Sequence, residues 1–263
     1  MNREDDITTA PELVAPGRFR FTYPDGWQQG RGAFGGMVLA PMVRAAVAFA
    51  AAPERKARTL TAEIVAPVLS GPADLAVEEL RAGSGTSTLA VRLIQEGELR
   101  AHAVVVLGRP RPGAPGWTPP PPPMRPWREV PPLEATLLIP TFTRHFEYRP
   151  TGPLPFSGGE PGAAGWVRPR ATPAARDEAY LVALVDAWWP ALFAILAAPR
   201  PMATITFTAD LLGDCEGLAP DAPCFYEARL LGFHDGYAPE LRALRGEDGR
   251  LLVVNHQTFV VIR

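Results

Sequence analysis

Residues Tyr180–Pro199 read YLVALVDAWWPALFAILAAP, apolar nearly all round, with Asp186 as the one charged side chain. Such a run fits a membrane span or a helix buried on every side in a soluble protein. An aspartate at mid-span is costly in lipid, and a proline four residues later would kink the helix. Strand-like segments follow at once, and no other stretch is long and apolar enough to span. The segment is therefore read as a central helix wrapped by a sheet, with one carboxylate in a mostly apolar site. A carboxylate so placed must be hydrogen-bonded, paired or protonated. It is either a structural aspartate tied to backbone or to an arginine, or a functional group.

Working outward, the first half carries a similar unit. RFRFTY at Arg18–Tyr23 alternates and reads as a short strand. The loop Gly26–Gly36, GWQQGRGAFGG, follows, and its glycines at 30, 32, 35 and 36 let the backbone approach a ligand closely. It leads into Met37–Ala52, an alanine-rich and mostly apolar helix with Arg44 as its one charge and Pro41 in its first turns. A glycine loop entering a helix presents free N–H groups and a positive dipole end, which suits an anion or a polarised carbonyl. The alternative is a tight turn into a buried helix. The spacing is neither a Walker loop nor a dinucleotide fingerprint. Four strand candidates come next: Thr59–Val68, Ala73–Arg81, Ser87–Gln95 and Leu99–Leu107, separated by turns at SGP, GSG and EGE. Close spacing implies antiparallel hairpins, and a buried helix followed by such a run is an α+β unit.

At Arg109–Pro132 the composition changes. RPRPGAPGWTPPPPPMRPWREVPP holds eleven prolines and should be an extended linker, with Trp117 and Trp127 pinning it to a domain surface. The domains expected are 1–108, a linker at 109–140, and 141–263. Beyond it, Thr143–Tyr148 reads as a strand, Thr151–Gly165 as a loop, then Trp166–Arg168 and the Asp186 helix. The remaining strand candidates are Met202–Leu212, Cys224–Gly232, Leu241–Arg245 and Leu251–Ile262.

The halves echo one another. One helix ends AAAP at Pro53 and the other LAAP at Pro199; TLTAEIVAPV from Thr59 stands opposite TITFTADLL from Thr204. VEELRAG stands opposite FYEARLLG, and EGELRAHAVVV opposite DGRLLVVNHQTFVV. On this register Asp186 falls opposite Ala40 and Gln257 opposite Val105, so one polar site of two is retained.

The formal net charge of −2 gives no electrostatic reason to expect nucleic acid or an anionic membrane surface. Cys215 and Cys224 are too few for a disulfide framework or a four-cysteine metal site and read as thiols in a reducing cytosol. The N-terminus, MNREDDITTAPEL, lacks the apolar core of a secretory signal. A cytoplasmic location without a membrane span is expected.

RGAFGG entering the first helix, FEYRP at 146–150, WVR at 166–168, Asp186, ATI at 203–205 and the late Gln257 come in that order. Over roughly residues 18–263 the chain resembles the double hot-dog acyl-CoA thioesterases, the acyl-CoA thioesterase II family and its thioesterase-like relatives. The resemblance implies an α+β tandem hot-dog, with two repeats each wrapping an antiparallel sheet around a central helix. It implies hydrolysis of a fatty or related acyl-CoA by a water that aspartate, threonine or serine, and glutamine position. Those roles fall on Asp186, Thr204 and Gln257. Thr206 and Thr208 share the Thr204 face of a regular strand and remain open as the site hydroxyl. Phe207 and the bulky WWP after Asp186 depart from the family pattern.

The chemistry itself needs an activated water and a polarised carbonyl. A desolvated Asp186 can act as base, whereas a hydroxyl and an amide can hold water but not deprotonate it. Gly35 and Gly36 are candidate donors to the carbonyl oxygen, with Phe34 and Trp188 as further substrate contacts. No cofactor or metal is required, and His102, His145, His234 and His256 are scattered. A hot-dog hydratase or dehydratase would want a histidine on a central helix, and neither has one. A duplicated hot-dog that binds acyl chains or CoA without turnover is the alternative of a different class. Association through the sheets into a homo-oligomer is also expected to be open to such a fold.

Overall fold

The computed structural model describes residues 7–134 and 140–262. The first residues of the acidic N-terminus and part of the expected linker, 135–139, lie outside the described residues. The first half runs β1 (Glu12–Ala15), β2 (Arg18–Tyr23), β3 (Gln28–Gln29), β4 (Gly32–Ala33), α1 (Gly35–Ala50), β5 (Lys56–Ile64), β6 (Gly71–Ala82), β7 (Thr86–Gln95) and β8 (Glu98–Gly108). The second runs β9 (Phe146–Pro150), β10 (Gly162–Pro169), α2 (Glu178–Val185), β11 (Met202–Leu211), β12 (Cys224–Leu230), β13 (Tyr237–Gly246) and β14 (Leu251–Val261).

Apart from the small β3–β4 pair, the strands form one 12-stranded sheet, ordered β1, β2, β6, β7, β8, β5, β11, β14, β13, β12, β10, β9. Its pairings are antiparallel. Read inward from either edge, the order is the same: two strands that precede the helix, a three-stranded meander, and then the first strand after the helix. The tandem hot-dog is therefore present as a fold, with the repeats joined where β5 meets β11, Glu63 opposite Thr206 and Thr59 opposite Asp210.

The two helices lie in the one large core that both halves share. α1 is buried from Gly35 to Ala46, and α2 is buried from Ala179 to Val185. An all-round apolar helix is stable only with protein on every side, and the sheet and the other helix supply it. Backbones come close at Gly36, where a Cβ would stand 2.6 Å from the Ala183 carbonyl oxygen. Arg44, the one charge on α1, pairs with Asp177 at 2.8 Å. Asp177 in turn caps α2 by accepting from the Tyr180 N–H at 2.8 Å. Among the described residues no helix is long and apolar enough to cross a membrane.

Several sequence expectations are corrected. The helix expected over Tyr180–Pro199 stops at Val185, with Asp186 as its C-cap, and a short 3-10 turn follows at Ala191–Ala194. Pro190 has no N–H to give and drives the residue before it toward extended backbone. The strand expected at Thr143–Tyr148 begins only at Phe146, because Thr141–His145 is a 3-10 turn in which the Thr143 hydroxyl donates to the Pro140 carbonyl. The loop expected to Gly165 gives way to β10 at Gly162. β5 ends at Ile64 rather than Val68, whose carbonyl instead accepts from the Ala33 N–H.

The repeat register also shifts locally. Bulges fall at Arg58 in β5 and Ile205 in β11, so Ala57 opposes Leu107 as Thr204 opposes Phe259. Thr204 thus corresponds to Ala57, two residues from the Thr59 that the sequence echo suggested. Gln257 and Val105 remain equivalent, since Phe207 pairs with Gln257 as Leu60 pairs with Val105.

Of the two linker tryptophans, only Trp127 pins the segment. It is 7% exposed, packs with Val130, Trp166 and Phe225, and has the Arg149 guanidinium 4.1 Å from its ring centre. Trp117 is 83% exposed and holds nothing down. Trp127→Ala should therefore lower stability by about 3–5 kcal/mol and speed proteolytic cleavage between residues 109 and 126. Trp117→Ala should stay within about 0.5 kcal/mol of wild type. Thermal melts with limited proteolysis of both variants check this.

Candidate active site

Asp186 sits where α2 ends and α1 begins. Its Oδ2 accepts the Gly36 N–H at 2.8 Å, from the first turn of the other half's helix. Its Oδ1 accepts from Gln257 Nε2 and from Arg242 NH1, both at 3.2 Å. Gln257 also donates to Asn255 Oδ1 at 3.1 Å, and its Oε1 accepts the Thr204 hydroxyl at 3.2 Å. Asp186, Thr204 and Gln257, far apart in sequence, are thus one connected cluster.

The β11 bulge decides which threonine belongs to it. In a regular strand Thr204, Thr206 and Thr208 would share a face. The extra residue at Ile205 turns Thr204 to the Gln257 side and leaves Thr206 and Thr208 on the opposite face, with Phe207 and Ala209 beside Gln257 and Asn255. The expected common face of the three threonines is corrected accordingly.

Gly36 does different work from that expected. The Gly36 N–H is not free for a ligand, because Asp186 occupies it. Gly35 is required by space: a Cβ there would lie 2.6 Å from Asp186 Oδ2. Phe34 is buried and stacked on Phe142 at 4.4 Å between ring centres. Trp188 is buried and stacked on Tyr226 at 5.1 Å.

Burial pushes the Asp186 carboxyl up from its ordinary value. The Arg242 charge, the Gln257 amide and the Gly36 N–H pull it back without cancelling that effect. Asp186 also stands at the C-terminal, negative end of its own helix and at the N-terminal, positive end of α1.

Sequence reasoning missed Arg242 and Glu240. Both are buried, on β13, and Arg242 Nε donates to Glu240 Oε1 at 2.7 Å. The strand expected at Leu241–Arg245 leaves out Glu240 and does not single out Arg242. Only the register, which sets Glu240 opposite Gln257 and Arg242 opposite Asn255, brings them to the site. The four histidines take no part: His145 stacks on Trp27 at 3.8 Å, His102 and His234 pair with Glu63 and Asp235, and His256 is exposed. Among the described residues no group of His, Cys, Asp and Glu could hold a metal ion.

The acyl-CoA thioesterase N-terminal domain matches residues 23–108, and the acyl-CoA thioesterase C-terminal domain matches residues 109–261. The chain belongs to the acyl-CoA thioesterase family. By those two matches it is a thioester hydrolase. Among solved structures it is similar to a conserved protein of unknown function with hot dog fold from Alicyclobacillus acidocaldarius. That likeness has TM-score 0.88 and 25% identity, over 100% of this chain and 99% of the other. It also resembles the tesB protein of Mycobacterium avium subs paratuberculosis (TM-score 0.80, 18% identity, 96% of each chain). An acyl-CoA thioesterase II of Mycobacterium marinum is similar too (TM-score 0.77, 16% identity, 98% of each chain). At those identities the two mycobacterial structures speak for the fold alone. No curated protein matches the chain.

For this thioesterase the close approach at Gly35 makes a sharp test. Gly35→Ala must displace the Asp186 carboxylate or the start of α1. Misplacement by about 1 Å is enough for roughly a hundredfold loss of turnover. Single-turnover hydrolysis by Gly35→Ala, set against its melting curve, separates that loss from unfolding.

Proposed function

We propose that the protein hydrolyses an acyl-CoA to the free acid and CoA, with Asp186 as the general base for water. The observation that carries this reading is the linked set Thr204, Gln257 and Asp186, anchored on the Gly36 N–H of the other repeat. An ionised carboxylate offers about four acceptor positions. Gln257 and Arg242 use Oδ1 and Gly36 uses part of Oδ2, which leaves Oδ2 able to accept a proton from water. Both Gln257 N–H donors are engaged, so its role toward water is as an acceptor through Oε1, shared with the Thr204 hydroxyl. A water held by two acceptors points its own lone pair at the thioester carbon. Its oxygen bonds to that carbon as its proton passes to Asp186, and the C–S bond then breaks with the proton returned to the leaving thiolate.

With the Gly36 N–H committed to Asp186, the donor to the carbonyl oxygen is the Gly35 N–H, a first-turn group without an intrahelical partner. Phe34, next to Gly35 in the first repeat, and Trp188, two residues after Asp186 in the second, are the apolar side chains assigned to the acyl group. Their bulk favours a short or flat acyl group over a long straight chain.

The test is free-thiol release from a panel of acyl-CoAs, short to long, straight and aromatic. Asp186→Asn should lose about 10²–10⁴ in kcat while acyl-CoA still protects it thermally. Turnover at the wild-type rate in that variant would sink the mechanism. The pH dependence has a definite sign. A base works ionised, so kcat/KM should fall as pH falls through the Asp186 pKa, with a midpoint above the ordinary aspartate value because burial raises it.

A further inference from the structure

Arg242 and Glu240 form a buried charged pair that water activation as written above does not use. Arg242 NH1 stands 3.2 Å from both Asp186 Oδ1 and the Val185 carbonyl, so one guanidinium nitrogen caps α2 and binds the base. Its Nε is held by Glu240 Oε1 at 2.7 Å, and Glu240 Oε2 accepts the Ala191 N–H at 2.7 Å. The guanidinium lies 5.7 Å from the Tyr226 ring centre and 5.2 Å from that of Phe259. Arg242 and Glu240 are both buried, and their contacts end on backbone at the Val185 carbonyl and the Ala191 N–H.

We propose that Arg242 and Glu240 are positioning residues for the Asp186 base: the arginine orients and charges the carboxylate, and the glutamate tempers the arginine. The proposal rests on the reading of Asp186 as base. A dry aspartate at a helix C-terminus would hold its proton too tightly to take one from water. An unopposed arginine at 3.2 Å would make it too weak a base. With Glu240 against Arg242, the three groups carry one net negative charge, and Asp186 keeps a usable basicity. The other groups facing Asp186 are the Gln257 amide on β14, the Gly36 N–H on α1, Tyr148 on β9 and Tyr226 on β12. The two tyrosines stay neutral because burial raises them well above their ordinary value.

The charges predict shifts of opposite sign. Glu240→Gln leaves Arg242 unopposed, so the acid limb of kcat/KM should move to lower pH. Arg242→Gln removes the cation, so the limb should move to higher pH, by roughly one to three pH units. That single variant strands Glu240 without its cation. The double variant Arg242→Gln/Glu240→Gln leaves no charge there and should still move the limb upward, since Arg242 is the nearer group. Arg242→Lys should restore the midpoint but not the full kcat, because an ammonium cannot reproduce the fork. Damage that is merely structural would lower turnover and leave the midpoint in place, which overturns the proposal.

The carboxyl carbon resonance of Asp186, assigned by its loss in Asp186→Asn, titrates without turnover and keeps the two readings apart. Resonance shifts of the expected signs support the tuning even if Asp186→Asn proves active and the base reading falls. An unmoved resonance in Glu240→Gln and in the double variant overturns the tuning even if Asp186→Asn is inactive.

Discussion

The hydrogen bond from Gly36 N–H to Asp186 Oδ2 ties the two repeats together at the candidate site. It joins residues 150 apart, and it exists only because two helix ends meet there. α1 offers unpaired N–H groups and positive potential at its start, while α2 offers an aspartate at its finish. Both flanking glycines are demanded by that meeting. A side chain at Gly35 would strike the carboxylate, and one at Gly36 would strike Phe34 and the Ala183 carbonyl.

The end of α2 is as important as its burial. Asp186 can turn toward α1 because the helix has stopped, and it stops because Pro190 cannot continue it. The carbonyls released at that end find donors: Arg242 for Val185 and the Tyr148 hydroxyl for Ala187 at 2.8 Å. Helix termination, backbone satisfaction and placement of the carboxylate are thus one event. The buried ionic groups come with a penalty. Removing one partner of such a pair leaves a stranded charge, at a cost of about 3–5 kcal/mol.

The duplication explains why one site is polar and its mate is not. The sheet order is symmetric about the β5–β11 seam, and both seam strands carry a bulge. At equivalent positions the second repeat holds Thr204 and Gln257 where the first holds Ala57 and Val105, both buried. The first repeat contributes instead the helix start that the second repeat's aspartate needs, so each half completes the other.

Much of this was legible in the amino-acid order. The apolar run around Asp186, the glycines before α1, the spaced hairpins and the local echoes determined two helices inside antiparallel sheets and marked Asp186 and Gln257 as polar where the first half is apolar, while Thr204 followed only from the resemblance to the thioesterase family. Those signals are periodic or compositional, and burial of apolar surface reads them directly. The tertiary structure alone decided the rest. A bulge at Ile205 separated Thr204 from Thr206, which strand alternation cannot foresee, because a one-residue insertion in the ladder is set by both partner strands. Cross-strand register placed Glu240 and Arg242, which nothing in the sequence singled out, in the core. The Gly36 N–H went to Asp186 rather than to a ligand, because only the packing of two helices places a carboxylate within reach of it.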